Sequence, residues 1–191
     1  MEDGSGLSDR QIVQAAREII TELGVDGLTM RTLSARLGVA LGATYHHVPT
    51  KRDLLLLVAH ELYDEVVLPE KGTWDQRVKK LMISVAEVVG RYPGMAAFLN
   101  ANAADSMPAD LRRRVFSLLE DAGFNKRNND AVRGALFIYV NGVNSGTIKG
   151  GMPAGLRPAD VKRMFQDGLD ILLAGARVTL EEQQEARRGS Q

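Results

Sequence analysis

The chain has 191 residues, 45% of them apolar, with 24 basic and 24 acidic side chains and no cysteine. That is enough apolar material for one large domain or two small ones. It excludes disorder as the main state, disulfides, thiolate metal sites, and a basic field over the whole surface. A charged partner must therefore be met by a local patch.

The opening residues MEDGSGLSDR are acidic and polar, where a secretory signal needs a basic and then an apolar run. The longest apolar stretch, Leu54 to Ala59, is far short of the roughly 20 residues of a membrane span. A cytoplasmic protein with no membrane partner is expected.

An apolar period near 3.6 runs through nearly the whole chain without strand-like alternation, so the fold is expected to be all-α with about nine helices. The first helix starts at Ser8, whose hydroxyl caps while Gln11 reaches back. Ile12, Ala16, Ile19 and Leu23 form its stripe, and Gly24 stops it. A short second helix is capped by Thr29, buries Met30, Leu33 and Leu37, and ends at Gly38. A third runs from about Leu41 to His46 and is ended by Pro49. Thr50 and Asp53 cap a long fourth helix through Leu54, Leu55, Val58, Leu62 and Val66. Thr73 and Gln76 open the next, with Val78, Leu81, Met82, Val85 and Val89, and Pro93 ends it. A short helix holds Met95, Phe98 and Leu99, and another runs from Pro108 to Gly123. Ala131 to Ile148 is the most apolar helix. A glycine-rich loop from Gly146 to Gly155 then leads to a last helix starting at Pro158, and the polar end is expected to fray.

Two short helices at a tight glycine turn, preceded by a capped longer one, make a helix-turn-helix candidate. Charge strengthens it. From Gly27 to Arg52 there is no acidic residue, while Arg31, Arg36, Lys51 and Arg52 all lie in that window. The stretch GLTMRTLSARLGVALGATYHHVPTKRDLL resembles the DNA-binding motif of TetR-type transcriptional repressors. The resemblance rests on Leu28-Thr29, the Leu37-Gly38-Val39 turn, Gly42, the Tyr45-His46-His47 run and Lys51, and it covers about residues 8 to 62.

The resemblance implies that Tyr45 and Lys51 hold phosphates and that Arg31 reaches a base. The physics agrees. Ala40, Leu41, Gly42 and Ala43 are small or aliphatic, as a helix turn that closely approaches base edges must be. Gly42 costs about 1 kcal/mol against alanine inside a helix, a penalty easiest to understand where another backbone comes near. Tyr45 and His46 bring ring donors to the helix end, and Lys51 adds its charge at the start of the next helix. With Thr29 and Thr50, these residues form the expected DNA-binding set. Ala40, Leu41 and Thr44 depart from the usual polar, polar or basic, and aliphatic residues of the motif, so sparse hydrogen-bond readout is expected, with Leu41 and Ala43 toward thymine methyls. Tyr45 has an alternative reading as a ring bracing the small domain. His47 reads as packing against the first helix, and Arg36 as a solvated charge.

No catalytic or metal constellation is found, and no cofactor is expected. In HELYD from His60, Asp64 stands where a second zinc-binding histidine would be needed. His46 and His47 point about 100° apart on a helix, and the glycine-rich loop lacks the Gly-Lys-Ser/Thr of a phosphate loop.

The expected organisation is a tail over 1–7, the DNA-binding domain over 8–53, a connecting helix over 54–68, a larger domain over 69–178 and a polar tail over 179–191. The resemblance implies that the larger domain binds a small-molecule effector and that its last two helices pair with those of a second copy. Phe98, Asn102, Phe116, Phe137 and Asn141 are the candidate lining of a mostly apolar cavity with polar anchors. Ala135, Ile138 and Gly142 on one helix and Gly168, Leu172 and Gly175 on the last are the candidate homodimer face, with packing inside the chain as the alternative. The function implied is a dimeric repressor of a palindromic double-stranded DNA operator, released by its effector. A regulator of the same architecture without an effector, or a helical interaction or enzymatic domain, is the alternative.

Overall fold

The computed structural model describes residues 7–144 and 157–189. The first six residues, the glycine-rich loop and the end of the helix expected to reach Ile148 lie outside the described residues. Among the described residues there are ten helices and no strand. They are α1 (Asp9–Gly27), α2 (Met30–Leu37), α3 (Leu41–His47), α4 (Lys51–Asp64), α5 (Trp74–Gly90), α6 (Met95–Ala101), α7 (Ala103–Ser106), α8 (Ala109–Asp121), α9 (Lys126–Asn144) and α10 (Pro158–Gly189). The single-turn α7 accounts for the excess over the expected nine. Its four residues are too few to show an apolar period.

The chain divides into two compact units, one of Met1–Glu65 with Val88–Pro108 and the other of Val66–Glu87 with Ala109–Gln191. Helix α5 therefore starts in the second unit, and its last turn counts with the first.

In the first unit, the Ser8 and Gln11 capping box forms as expected and launches α1. The core is built on Ile12, Ile19 and Ile20 of α1, Leu28, Leu33 of α2, Leu54 and Leu62 of α4 and Met95 of α6, all almost completely buried. Each such side chain contributes about 1.5–3 kcal/mol relative to exposure. Leu23 stays largely exposed, so the predicted stripe ends one turn early. Gly24 breaks α1 with φ 72 and ψ 175, but one more helical turn follows before the chain leaves at Leu28. Helix α4 ends at Asp64 with Glu65 as C-cap, short of the Leu68 expected from its stripe. Val66 and Leu68 instead pack on the core of the second unit.

That second core gathers Val78 and Leu81 of α5, Leu118 and Leu119 of α8, Phe124, Leu136 and Val140 of α9, and Phe165, Leu169 and Leu173 of α10. Trp74 meets Phe124 edge to face, with ring centroids 5.2 Å apart. Helix α10 is helical through Gly189, although its polar end from residue 179 was expected to fray. Leu180 is buried, and so is Gln183, whose amide is bonded through both its oxygen and its nitrogen. Its oxygen accepts from the backbone N–H of Asn125 at 2.8 Å and the side chain of Asn128 at 3.1 Å, while its nitrogen donates to the Gly123 carbonyl at 2.8 Å. A buried amide so satisfied costs little, and it anchors a helix end that has almost no apolar residues.

Candidate nucleic-acid interface

Helix α2 is fixed at both ends by its own sequence. The Thr29 hydroxyl accepts from the Thr32 N–H at 3.0 Å, and the Thr32 hydroxyl accepts from the Thr29 N–H at 2.8 Å. Gly38 then adopts φ 68, the left-handed cap that a residue with a Cβ rarely takes. Ala40 follows as the N-cap of α3 and offers no side-chain cap.

Helices α2 and α3 are locked by a hydroxyl pair. Ser34 and Thr44 are both buried, and their oxygens are hydrogen-bonded to one another. Each hydroxyl also lies near a carbonyl of its own helix, Met30 at 2.7 Å and Leu41 at 2.8 Å. The residue that breaks the aliphatic pattern of the motif thus has a structural cause. A polar group buried at this position is matched by a second one across the turn.

With Thr44 and then Val48 turned inward, the opposite face of α3 is left open. Leu41 is 41% and Tyr45 46% exposed, and they stand one turn apart on the same face. Gly42 and His46 are exposed beside them. A Cβ built on Gly42 meets no atom within 4 Å, so nothing inside the chain requires glycine there. His47 is turned back to α1, with Nδ1 3.0 Å from the Asp9 carboxylate, and stays exposed there instead of packing into the core.

The cations of the acid-free window are less free in space than in sequence. Arg36 is an exposed surface charge, as expected, and it pairs there with Glu22 at 2.6 Å and Glu18 at 3.4 Å, both on α1. The hydrogen bond to Arg36 holds the Glu22 carboxyl below its ordinary range. Arg52 donates to the Asn102 side chain at 3.0 Å and to Asp105 at 2.5 Å. The Lys51 ammonium donates to the Val25 carbonyl at 2.7 Å, which leaves two of its three donors. Arg31 is exposed and makes no ion pair with a described residue. Thr50 caps α4 by accepting from the Asp53 N–H at 3.1 Å.

A second charge cluster lies at the other end of α4. Arg17 of α1 bonds Glu61 of α4, the α4 C-cap Glu65 and the Tyr92 hydroxyl, and Arg91 also bonds Glu65. Burial opposes the charge of Glu65, but the two guanidiniums outweigh it and leave its carboxyl below the usual carboxylate range. This network pins α1, α4 and the chain after α5 to one another within the first unit.

The effector candidates fall in both units. Phe98 is half-buried in α6. Asn102 is spent as the link between the Phe98 carbonyl and Arg52. In the second unit, the Arg133 guanidinium lies 3.9 Å from the centre of the Phe116 ring and covers it. Phe137 is 52% exposed, and Asn141 is half-buried.

Of the dimer candidates, Ala135 and Gly175 are exposed, Gly142 is half-buried and Ile138 is 72% exposed. Gly168 and Leu172 face inward instead. Any Cβ on Gly168 would overlap the Tyr139 ring, which stacks on Phe165, and Leu172 packs on the core. The small-residue pattern thus mixed two faces of α10. The uncovered face carries Met164, Ile171 and Val178, spaced by seven residues, with Ile171 73% exposed. A heptad reading of the last helix would have found them.

Among the described residues no group of three His, Cys, Asp or Glu is arranged to hold a metal, and no helix is long and apolar enough to cross a membrane.

Residues 12–58 match the family described as bacterial regulatory proteins, tetR family. A curated relative, an HTH-type transcriptional regulator of Saccharopolyspora erythraea, is 33% identical over 139 residues, which cover 71% of this chain and 59% of that protein. The chain thus spans less than two thirds of that relative's length. Among solved structures, apo ActR from Streptomyces coelicolor superposes with a TM-score of 0.75 at 23% identity over 93% of this chain and 98% of its own. A TetR variant from Acinetobacter baumannii AYE in complex with minocycline gives 0.74 at 26% identity over 91% and 98%.

Proposed function

Since the chain belongs to the TetR family of transcriptional regulators, we propose that it binds a palindromic double-stranded DNA operator as a homodimer and acts as a repressor released by a small-molecule effector. The observation that carries DNA binding is the outer face of α3. Leu41, Gly42, Tyr45 and His46 are turned to solvent, and no packing demand inside the chain accounts for the glycine. A small, ring-bearing helix face of this kind suits entry into a major groove, with Arg31 for a base and Tyr45 and Lys51 for phosphates.

The homodimer reading is supported by α9 and α10. Ile138, Met164, Ile171 and Val178 are branched or long apolar side chains left in water. A second copy related by a two-fold axis would cover them with the same face of its own helices. Such a dimer would set its two copies of α3 about 34–36 Å apart, one turn of DNA, so that both reach successive major grooves. An effector that prefers another arrangement would shift the population away from that spacing and weaken binding by its differential affinity.

The neighbour from Acinetobacter baumannii holds minocycline, and a ligand of some class is the matching expectation here. The engagement of Asn102 by Arg52 and the covered Phe116 favour a ligand that relies on other residues, or regulation without a ligand. A melting-temperature screen of small molecules separates those two readings, because only a ligand that binds the folded chain raises the midpoint.

The decisive experiment is a fluorescence-anisotropy titration against DNA from upstream of the gene itself and against scrambled DNA, at two salt concentrations. Tight, sequence-dependent binding by two protomers is expected, and Tyr45→Ala should weaken it on every sequence with the melting temperature unchanged. Equal, weak, salt-erased binding to both DNAs would reject an operator in that DNA.

A further inference from the structure

We propose that the kink of α1 and the turn between α5 and α6 form a socket that positions the Lys51 ammonium for a DNA phosphate, an inference that rests on the DNA-binding reading of Lys51. The socket is a single peptide unit held from both sides. Gly24 interrupts α1 with φ 72 and ψ 175, so the N–H of Val25 leaves the helical ladder. That N–H donates to the Pro93 carbonyl at 2.9 Å. The carbonyl of Val25 accepts from the Lys51 ammonium at 2.7 Å and from the Leu28 N–H at 3.2 Å.

The approach is tight enough to demand glycine on both sides. A Cβ on Gly24 would lie 3.3 Å from the Pro93 carbonyl oxygen, and one on Gly94, at φ 85, would lie 3.1 Å from the Val25 Cβ. Both residues also sit in the left-handed region, so two strained positions converge on one hydrogen-bonded link. Nearby, Tyr92 is bonded by Arg17, which fixes the same turn to α1 a second time.

A lysine free on a surface loses several rotatable bonds when it grips a phosphate. Lys51 has lost them before DNA arrives, because the Val25 carbonyl already holds its nitrogen. The ammonium keeps two donors for phosphate oxygens. The site is therefore preorganised rather than assembled on contact. Val25, Pro93 and the two glycines act through Lys51 and are positioning residues. A displacement of the turn after α5 would reach Lys51 through the Val25 peptide.

The test is a double-mutant cycle on operator affinity with full-length protein. Gly94→Ala, which pushes on Val25, should weaken binding roughly fivefold in the wild-type background and have no further effect beside Lys51→Met. Melting curves establish that each variant is folded at the assay temperature. The same loss in both backgrounds would overturn the socket while leaving DNA binding standing. Wild-type protein that prefers no operator over scrambled DNA would remove the reading beneath it. If Gly94→Ala does not fold, hydrogen exchange at the Val25 amide decides. Operator DNA should slow exchange in the wild type and not in Lys51→Met, and equal slowing in both would reject the proposal.

Discussion

Helices α3 and α10 each have one face left exposed by the described residues, and the two faces differ in kind. On α3 it is Leu41, Gly42, Tyr45 and His46, a mixture of small residues and hydrogen-bonding rings. On α10 it is Met164, Ile171 and Val178, an apolar row spaced by seven residues with the exposed Asp167 beside it. The inner faces are inverted in the same way. A buried hydroxyl pair holds α3, whereas α10 is held along most of its length by leucines and Phe165. The contrast teaches that exposure alone says little about a partner. The chemistry of the exposed stripe separates a face suited to a polar groove from one suited to another protein.

The strongest way to break the comparison is Ile171→Asp. It places a carboxylate in each half of a two-fold apolar interface, a cost of about 3–5 kcal/mol for each unpaired charge. The dimer should be lost in sedimentation equilibrium, and operator binding should fall with it. A dimer that persists would show that α10 pairs with nothing through this face.

Thr44→Val attacks the inner side of α3. It keeps the shape and removes one member of the hydroxyl pair, at an expected cost of about 1–3 kcal/mol. The urea midpoint reports it, and an unchanged midpoint would show the pair to be neutral. Gly42→Ala sharpens the outer side, because its two effects have opposite signs. Helix propensity should raise stability by about 1 kcal/mol, since the new methyl meets nothing. Operator binding should weaken on the order of tenfold, or 1.4 kcal/mol. Stabilisation without loss of binding would mean that no DNA approaches that backbone. The smallest effect concerns Arg52. Asp105→Ala releases one of its two partners, and if the guanidinium then reaches a phosphate, the slope of log affinity against log salt should steepen by about 0.9. An identical slope would leave Arg52 outside the interface.

What the sequence made legible was local. Ser8 with Gln11, Thr29 and Gly38 all act on backbone groups within a few residues, so their types and spacing were enough to place α1, α2 and the turn. The outer face of α3 followed from the same short range. What was not legible depends on partners remote in sequence. Arg36 and Arg52 looked free because Glu22 and Asp105 lie outside the acid-free window. Thr44 looked like a defect until Ser34 was found beneath it. Gly168 looked like an opening for a second copy, and the Tyr139 ring already fills it. In each case the partner was set by the fold, at a sequence distance that residue types and spacing do not bridge.

Gln183 bears on how the protein is handled at the bench. A boundary drawn at residue 179, where the sequence turns polar, looks harmless for a shortened expression clone. It would remove the amide that meets the Gly123 carbonyl and the Asn125 N–H, and the turn joining α8 to α9 would be left with an unmatched donor and acceptor. Such a clone should give lower yield and a lower melting point, whereas a cut or purification tag placed after Gly189 leaves the anchor whole.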